Sequence, residues 1–201
     1  MATGSGNYDK QNGKTNSFVE QTALRTCIVM IFSVLAVSAV FSFMPLFGEE
    51  RNIDNIGLFF TFYAVSMIVT RILTGKIADQ YGYIKVIIPS IAITLLLFIT
   101  LIYAYSLPMV LLAAIFYGVG YGTLQPVLNA VVIKLSPVKR RGAANATFFA
   151  TLDIGFGLGS FIWGGVSQVA GFTVVFIGCA ACIVASLLAF YFILRGQLIG
   201  I

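Results

Sequence analysis

Apolar residues run through this chain in six long blocks separated by short polar breaks. The blocks extend from about Ala23 to Phe47, Gly57 to Thr74, Val86 to Tyr105, Met109 to Ile133, Ala143 to Val169 and Thr173 to Leu194. Each has roughly the 20 mostly apolar residues that a helix needs to span a hydrocarbon layer ~30 Å thick. Gly48-Glu49-Glu50-Arg51-Asn52 is polar, and Gly75 to Lys85 carries charges and two glycines. Ser106-Leu107-Pro108 reads as a tight turn, and Lys134 to Gly142 is basic around Pro137. Ala170-Gly171-Phe172 is the weakest break. A single helix across it would hold about 50 residues, far too long for a bilayer at ~1.5 Å per residue. The pattern therefore predicts six spanning helices over 21–195, with a short tail at 196–201. Met1 to Glu20 is rich in Gly, Asn, Lys, Ser and Thr, which predicts a disordered tail or linker. It is too polar for a cleavable signal peptide.

Within the blocks, polar and small residues fall at helical spacing. Gly118, Gly122, Gln125 and Asn129 share one face of the fourth helix, and Ala146, Ala150, Asp153, Gly157, Ser160 and Gly164 share one face of the fifth. Tyr63, Ser66, Thr70 and Thr74 form a stripe on the second, and Ser38, Ser42 and Pro45 a weaker one on the first. The third and sixth have no such stripe. Polar side chains at membrane depth face protein or water. Helices one, two, four and five are thus expected to line something, with three and six peripheral. That is the signature of two inverted three-helix repeats. Small residues at these spacings also serve close helix packing, which is the plainer reading of Gly118, Gly122, Gly155, Gly159 and Gly164. Gln125 and Asn129 fit a cavity better, because packing does not require two amides.

Composition agrees with a lipid solvent. Apolar types make up 59% of the 201 residues and charged types 9%, against about a quarter charged in soluble domains; mean hydropathy is +0.99. There is no His and there are three Cys, so no cofactor, metal site or disulfide framework is expected. The Cys179-Ala180-Ala181-Cys182 spacing lies in an apolar helix and reads as packing. An intramembrane enzyme is not expected either, since such a site needs a His, paired acids or a Ser/Lys pair at depth. The formal charge of +5 points away from nucleic acid once it is placed. Lys and Arg in short loops mark the cytoplasmic side, and Lys76, Lys85, Lys134, Lys139, Arg140 and Arg141 all fall on the N-terminal side of the layer. Both termini are expected in the cytoplasm of a plasma-membrane protein, with Arg51 alone outside.

Asp153 is the sharpest feature. It lies about ten residues into its helix, about 15 Å deep and near the bilayer midplane. A carboxylate there is costly unless protonated, paired or wet. It is either a proton- or substrate-coupling acid or a protonated acid bonded to a neighbouring helix. Arg71 is the one cation within a span, near the inner end of the second helix, where it can snorkel.

Gly75-Lys76-Ile77-Ala78-Asp79-Gln80-Tyr81-Gly82-Tyr83-Ile84-Lys85 resembles the cytoplasmic signature of the major facilitator superfamily, Gly-x-Leu-Ala-Asp-Arg-x-Gly-Arg-Arg/Lys. Ile77 stands in for Leu, and Gln80 and Tyr83 for basic residues, as in the degraded second copy that the family carries in its second half. Gly57-Leu58-Phe59-Phe60-Thr61-Phe62-Tyr63-Ala64 and the stretch from Arg141 to Gly159 are similar to the second half of drug/proton-antiporter members. The resemblance implies half of a twelve-helix fold, an all-α membrane protein whose cavity is completed by another six-helix bundle, either another chain or a second copy. It implies proton-coupled export of a small amphipathic molecule by alternating access. Asp153 and Arg71 would couple protons to substrate. Ser42, Tyr63, Ser66, Gln125 and Asn129 would line the cavity. Gly75, Asp79, Gly82, Lys85, Arg140 and Arg141 would form the cytoplasmic gate, although Arg140 and Arg141 also fit an ordinary solvated loop. The alternative is a half that binds membrane partners without transport of its own.

Overall fold

The computed structural model describes residues 21–198; of residues 21, 22, 73–81 and 197 the side chains are outside the description. The expected tail 1–20 and residues 199–201 lie outside the described residues. Among those described there is no strand. The helices are α1 (Gln21–Glu50), α2 (Leu58–Tyr81), α3 (Ile84–Ile102), α4 (Leu107–Leu135) and α5 (Arg141–Ala189), with a 3-10 turn at Val138–Arg140 before α5. A π turn, Phe190–Leu194, and a last short helix, α6 (Arg195–Leu198), continue α5. Among the described residues four stretches are long and apolar enough to cross a membrane, and Leu58–Ile72 of α2 is a further apolar helical stretch.

The 49 residues of α5 are not one rod. Gly171 has φ 76 and ψ 170, a combination open essentially to glycine alone. It divides α5 into two arms, α5a (141–170) and α5b (172–189). The arms fold back on each other: a Cβ on Gly178 of α5b would stand 2.7 Å from the Trp163 ring of α5a. The weakest break in the sequence is thus a hairpin, and among the described residues the long helices number six when the arms are counted separately. Gly171→Ala should cost ~1–3 kcal/mol, the usual cost of a disfavoured backbone conformation. A melting curve in detergent reads this directly, and an unchanged midpoint would mean that the hairpin bends elsewhere.

The break expected from Gly75 to Lys85 is shorter in the structure. Helix α2 continues to Tyr81 and stops at Gly82, whose φ of 84 is the left-handed conformation that ends helices. The charged positions 76 and 79 therefore fall within the helix and do not end it. The turn expected at Ser106 to Pro108 lies earlier, over residues 103–106. Leu107 already belongs to α4, with proline in its first turn, where the missing N–H leaves no bond unmade.

Neighbour relations set the architecture. Helix α4 packs on α2, α3 and α1, and α1 packs on α5. The α5b arm reaches α1 through Ser186, whose hydroxyl donates to the Val29 carbonyl at 2.8 Å and lies 2.9 Å from the Ser33 hydroxyl. It reaches α3 through Phe176, 6.5 Å from Phe98 between ring centres. The result is a front row in the order α2, α4, α1, α5a, with α3 and α5b behind. Exchanging α1 with α4, α2 with α5a and α3 with α5b carries each of these contacts onto another, the pairing expected of two three-helix repeats. All four helices with polar stripes stand in the front row.

Glycines set the closest approaches. A Cβ on Gly118 of α4 would lie 2.5 Å from the Ser66 Cβ and 2.7 Å from the Tyr63 carbonyl of α2. On Gly159 of α5a it would collide with the Ser38 hydroxyl and stand 2.7 Å from the Leu35 carbonyl of α1. Trp163 fastens the same joint, its Nε1 donating to the Leu35 carbonyl at 2.7 Å.

Candidate functional site

Helix α5a presents two unlike faces. Gly155 and Gly159 press on α1 around Val34 and Leu35, while nothing lies within 4 Å of a Cβ at Gly157. Ala146, Ala150, Asp153 and Gly157 are exposed along the open side. Asp153 stands twelve residues beyond Arg141, about 18 Å along the axis at ~1.5 Å per residue. This bundle therefore carries a carboxylate at mid-span on a surface it does not itself cover.

The edge of α5a beside α1 continues that surface. Residues 153, 156 and 160 share it at helical spacing. Ser160 shares a 2.8 Å hydrogen bond with Ser42 of α1. Phe156 meets Phe41 of α1 edge-to-face, 6.1 Å between centres, and Phe41 meets Phe60 of α2 in the same manner at 5.7 Å. Rings from three helices thus make a corner on the front row, with Phe41 48% and Phe156 39% exposed. Nothing in the spacing of the aromatic residues announced this corner, because each ring lies on a different helix.

The other expected cavity residues are placed as follows. Tyr63 is half-buried, stacked 4.5 Å from Tyr117 of α4, with its hydroxyl 3.4 Å from the Met67 sulfur. Ser66 is half-buried and donates to the Phe62 carbonyl of its own helix at 2.7 Å. Gln125 and Asn129 are half-buried on α4, at helical spacing from Gly118 and Gly122, which meet Ser66 and Met67 of α2. The amide oxygens of Asn129 and Asn145 are buried without a hydrogen-bond partner, an arrangement that calls for water or a further acceptor-matching group. Arg71 is exposed on α2. The structure brings Ser42 and the Asp153 edge together across α1 and α5a, whereas Tyr63 and Ser66 belong to the α2–α4 joint.

Of the expected gate, Gly82 and Lys85 are exposed at the α2–α3 turn, Arg140 is half-buried and Arg141 exposed at the start of α5. Gly75 and Asp79 fall among residues whose side chains lie outside the description. At the opposite end Arg51 does more than mark topology. Its Nη2 donates to the Thr173 hydroxyl at 2.7 Å. Its guanidinium lies 4.0 Å from the centre of the Tyr105 ring and 5.5 Å from that of Phe47. One side chain thereby ties the end of α1 to the α3–α4 turn and to the α5 hairpin.

Comparison with known proteins places this bundle among transporters. The chain is 25% identical over 166 residues to an MFS-type transporter of Salmonella typhimurium, covering 83% of this chain and 43% of that protein. It is 22% identical over 171 residues to the staphylopine export protein of Staphylococcus aureus, with coverage of 83% and 43%. To the YhhS MFS-type transporter of Escherichia coli it is 24% identical over 148 residues, with coverage of 73% and 36%. The chain spans less than half the length of these curated relatives. Residues 26–198 match the Major Facilitator Superfamily; an all-α, multi-pass membrane protein, the chain belongs to that family.

Proposed function

We propose that this chain is the second six-helix half of a secondary transporter, which exports a small amphipathic molecule in exchange for protons once a counterpart bundle covers its front row. Exposed Asp153 at mid-span carries the reading. A carboxylate facing acyl chains costs several kcal/mol, whereas one facing a wet cavity between two bundles does not. The export direction is supported by the similarity to an export protein, and the need for a counterpart by the length of the relatives. With Lys85 at the α2–α3 turn and Lys139, Arg140 and Arg141 gathered before α5, both ends of the chain lie in the cytoplasm. Lys85, Arg140 and Arg141 then belong to the inner gate with Gly75, Asp79 and Gly82. Arg71 lies on the inner side of the cavity and Asp153 is the proton-carrying group.

A cysteine at position 157 tests the cavity. In a background with Cys27, Cys179 and Cys182 replaced by alanine, the assembled transporter should react at Cys-substituted Gly157 with a charged, membrane-impermeant maleimide. Labelling by lipid-soluble reagents alone would place this face in acyl chains and end the proposal.

A further inference from the structure

The two three-helix repeats, α1 to α3 and α4 to α5b, follow one another in the chain through the α3–α4 turn. Side chains join them a second time. We propose that Arg51 and Lys134 are a pair of cross-repeat straps, strong at one end of the bundle and weak at the other, so that the repeats are locked at the Arg51 end and flex at the Lys134 end. The device belongs to the bundle itself and is independent of what the protein carries.

The two cations occupy matching places. Arg51 directly follows α1, the first helix of its repeat, and Lys134 lies in the last turn of α4, the first helix of the other. Unpaired carbonyls leave a helix C-terminus partly negative, which favours a cation at both positions. The end of α1 is closed by its own backbone. The Ile53 amide donates to the Gly48 carbonyl at 2.9 Å across Asn52, whose φ is 52, the left-handed turn that ends helices. Each cation then reaches the start of the third helix of the opposite repeat. Arg51 donates through Nη2 to the hydroxyl of Thr173, the second residue of α5b, at 2.7 Å. Lys134 Nζ lies 5.0 Å from the ring centre of Tyr83, the residue just before α3. The exchange that carries α1 onto α4 and α5b onto α3 carries one contact onto the other.

The straps differ in strength. A guanidinium can hydrogen-bond along its edge while its faces stack on rings, and an ammonium cannot do both. Arg51 uses both modes, resting 4.0 Å from the Tyr105 ring centre and 5.5 Å from that of Phe47. Phe47 is itself fully buried and meets Phe172 and Phe176 of α5b edge-to-face, at 6.1 and 5.1 Å. The neighbouring Glu50 brings Oε1 to 3.9 Å from where a Cβ on Gly171 would stand, so consecutive side chains of α1 both reach the hairpin. Lys134 is exposed and rests on one ring. Cation–ring contacts at such open sites are weak.

Hydrogen exchange of the full chain in nanodiscs reads the two ends segment by segment. Arg51→Met should speed exchange by about tenfold in 101–110 and in 171–178 together, segments remote in sequence, while 84–90 stays within about twofold. Lys134→Met should speed 84–90 by no more than about threefold and leave the other end unchanged. Arg51→Lys should fall between, since it keeps the charge over Tyr105 and loses the fork. Tyr105→Leu and Thr173→Val keep the cation and remove its partners, so they report even where Arg51→Met does not fold. Each should loosen both segments at the Arg51 end, and the two effects should not add, as groups held by one side chain are coupled. Loosening confined to the substituted segment, additive effects of Tyr105→Leu and Thr173→Val, or an effect of Lys134→Met at 84–90 as large as that of Arg51→Met at its own end overturns the proposal.

Discussion

Valine at position 159 should strip the bundle of most of its stability, whereas valine at position 157 should be tolerated in the isolated chain. The two sites are two residues apart on α5a, equally glycine and equally helical. They differ only in what a side chain would meet. At 159 a Cβ collides with the Ser38 hydroxyl and approaches the Leu35 carbonyl at 2.7 Å and its Cα at 3.0 Å. Backbone cannot swing aside as a flexible side chain can, so α1 and α5a must separate. The expected cost is at or above the ~1–3 kcal/mol usual for overpacking, because separation also breaks the Trp163 bond to Leu35 and uncovers the α1 carbonyl. At 157 nothing stands within 4 Å, and valine has a helix propensity a few tenths of a kcal/mol better than glycine. Trp163 is the sole tryptophan and sits in the joint itself, so its emission reports the separation during a thermal melt. Melting of Gly159→Val alongside the unsubstituted protein would mean that α1 and α5a do not approach this closely. The related joint between α4 and α2 predicts the same loss for Gly118→Val.

The contrast between 157 and 159 marks how far the sequence could be read. Apolar blocks of bilayer length placed all six helices, because a lipid solvent demands unbroken apolar stretches. Gly171 was legible as a break for the same reason, since no bilayer holds a 49-residue helix. Periodicity also placed the small residues of α4 and α5a on shared faces. It could not say which face meets a neighbour. Packing was the plainer reading of Gly118 and Gly122, but the helix they pack on, through Ser66 and Met67 of α2, is visible only in the fold. Gln125 and Asn129 were assigned to a cavity on the cost of burying amides, an argument about burial that names no neighbour. The corner of Phe41, Phe60 and Phe156 was invisible because its members come from three helices and each alone is an ordinary lipid-compatible ring. Arg51 was read only as a charge in a loop. Its role depends on Tyr105 and Thr173, both remote in the chain and brought near by the α3–α4 turn and the α5 hairpin. Pairing between distant segments is what sequence pattern lacks, and in this bundle it decides every contact of the site.

Asp153→Asn should abolish proton-coupled transport while leaving the fold intact. The two readings of this acid make opposite statements about stability. An acid bonded to a neighbouring helix would lose a buried hydrogen bond on conversion to the amide, or strain to replace it, at about 1–3 kcal/mol. An exposed acid on the open face loses nothing inside the bundle. Exposed substitutions of nearly the same shape typically stay within about 0.5 kcal/mol, and in lipid the neutral amide removes a charge-burial cost. Since the structure leaves Asp153 exposed, the melting point of Asp153→Asn should equal or exceed that of the unsubstituted chain. Function should move the other way. An amide cannot take up or release a proton, so adding solute to proteoliposomes of the assembled transporter should no longer release protons. Net uptake against an imposed proton gradient should fall to background. Asp153→Glu, which restores a titrating group one methylene further out, should recover measurable proton release. Simultaneous recording of melting point and proton release separates the outcomes: lowered stability with retained coupling would assign Asp153 to structure and move the coupling role elsewhere, whereas retained stability with lost coupling fixes it as the group that carries the proton.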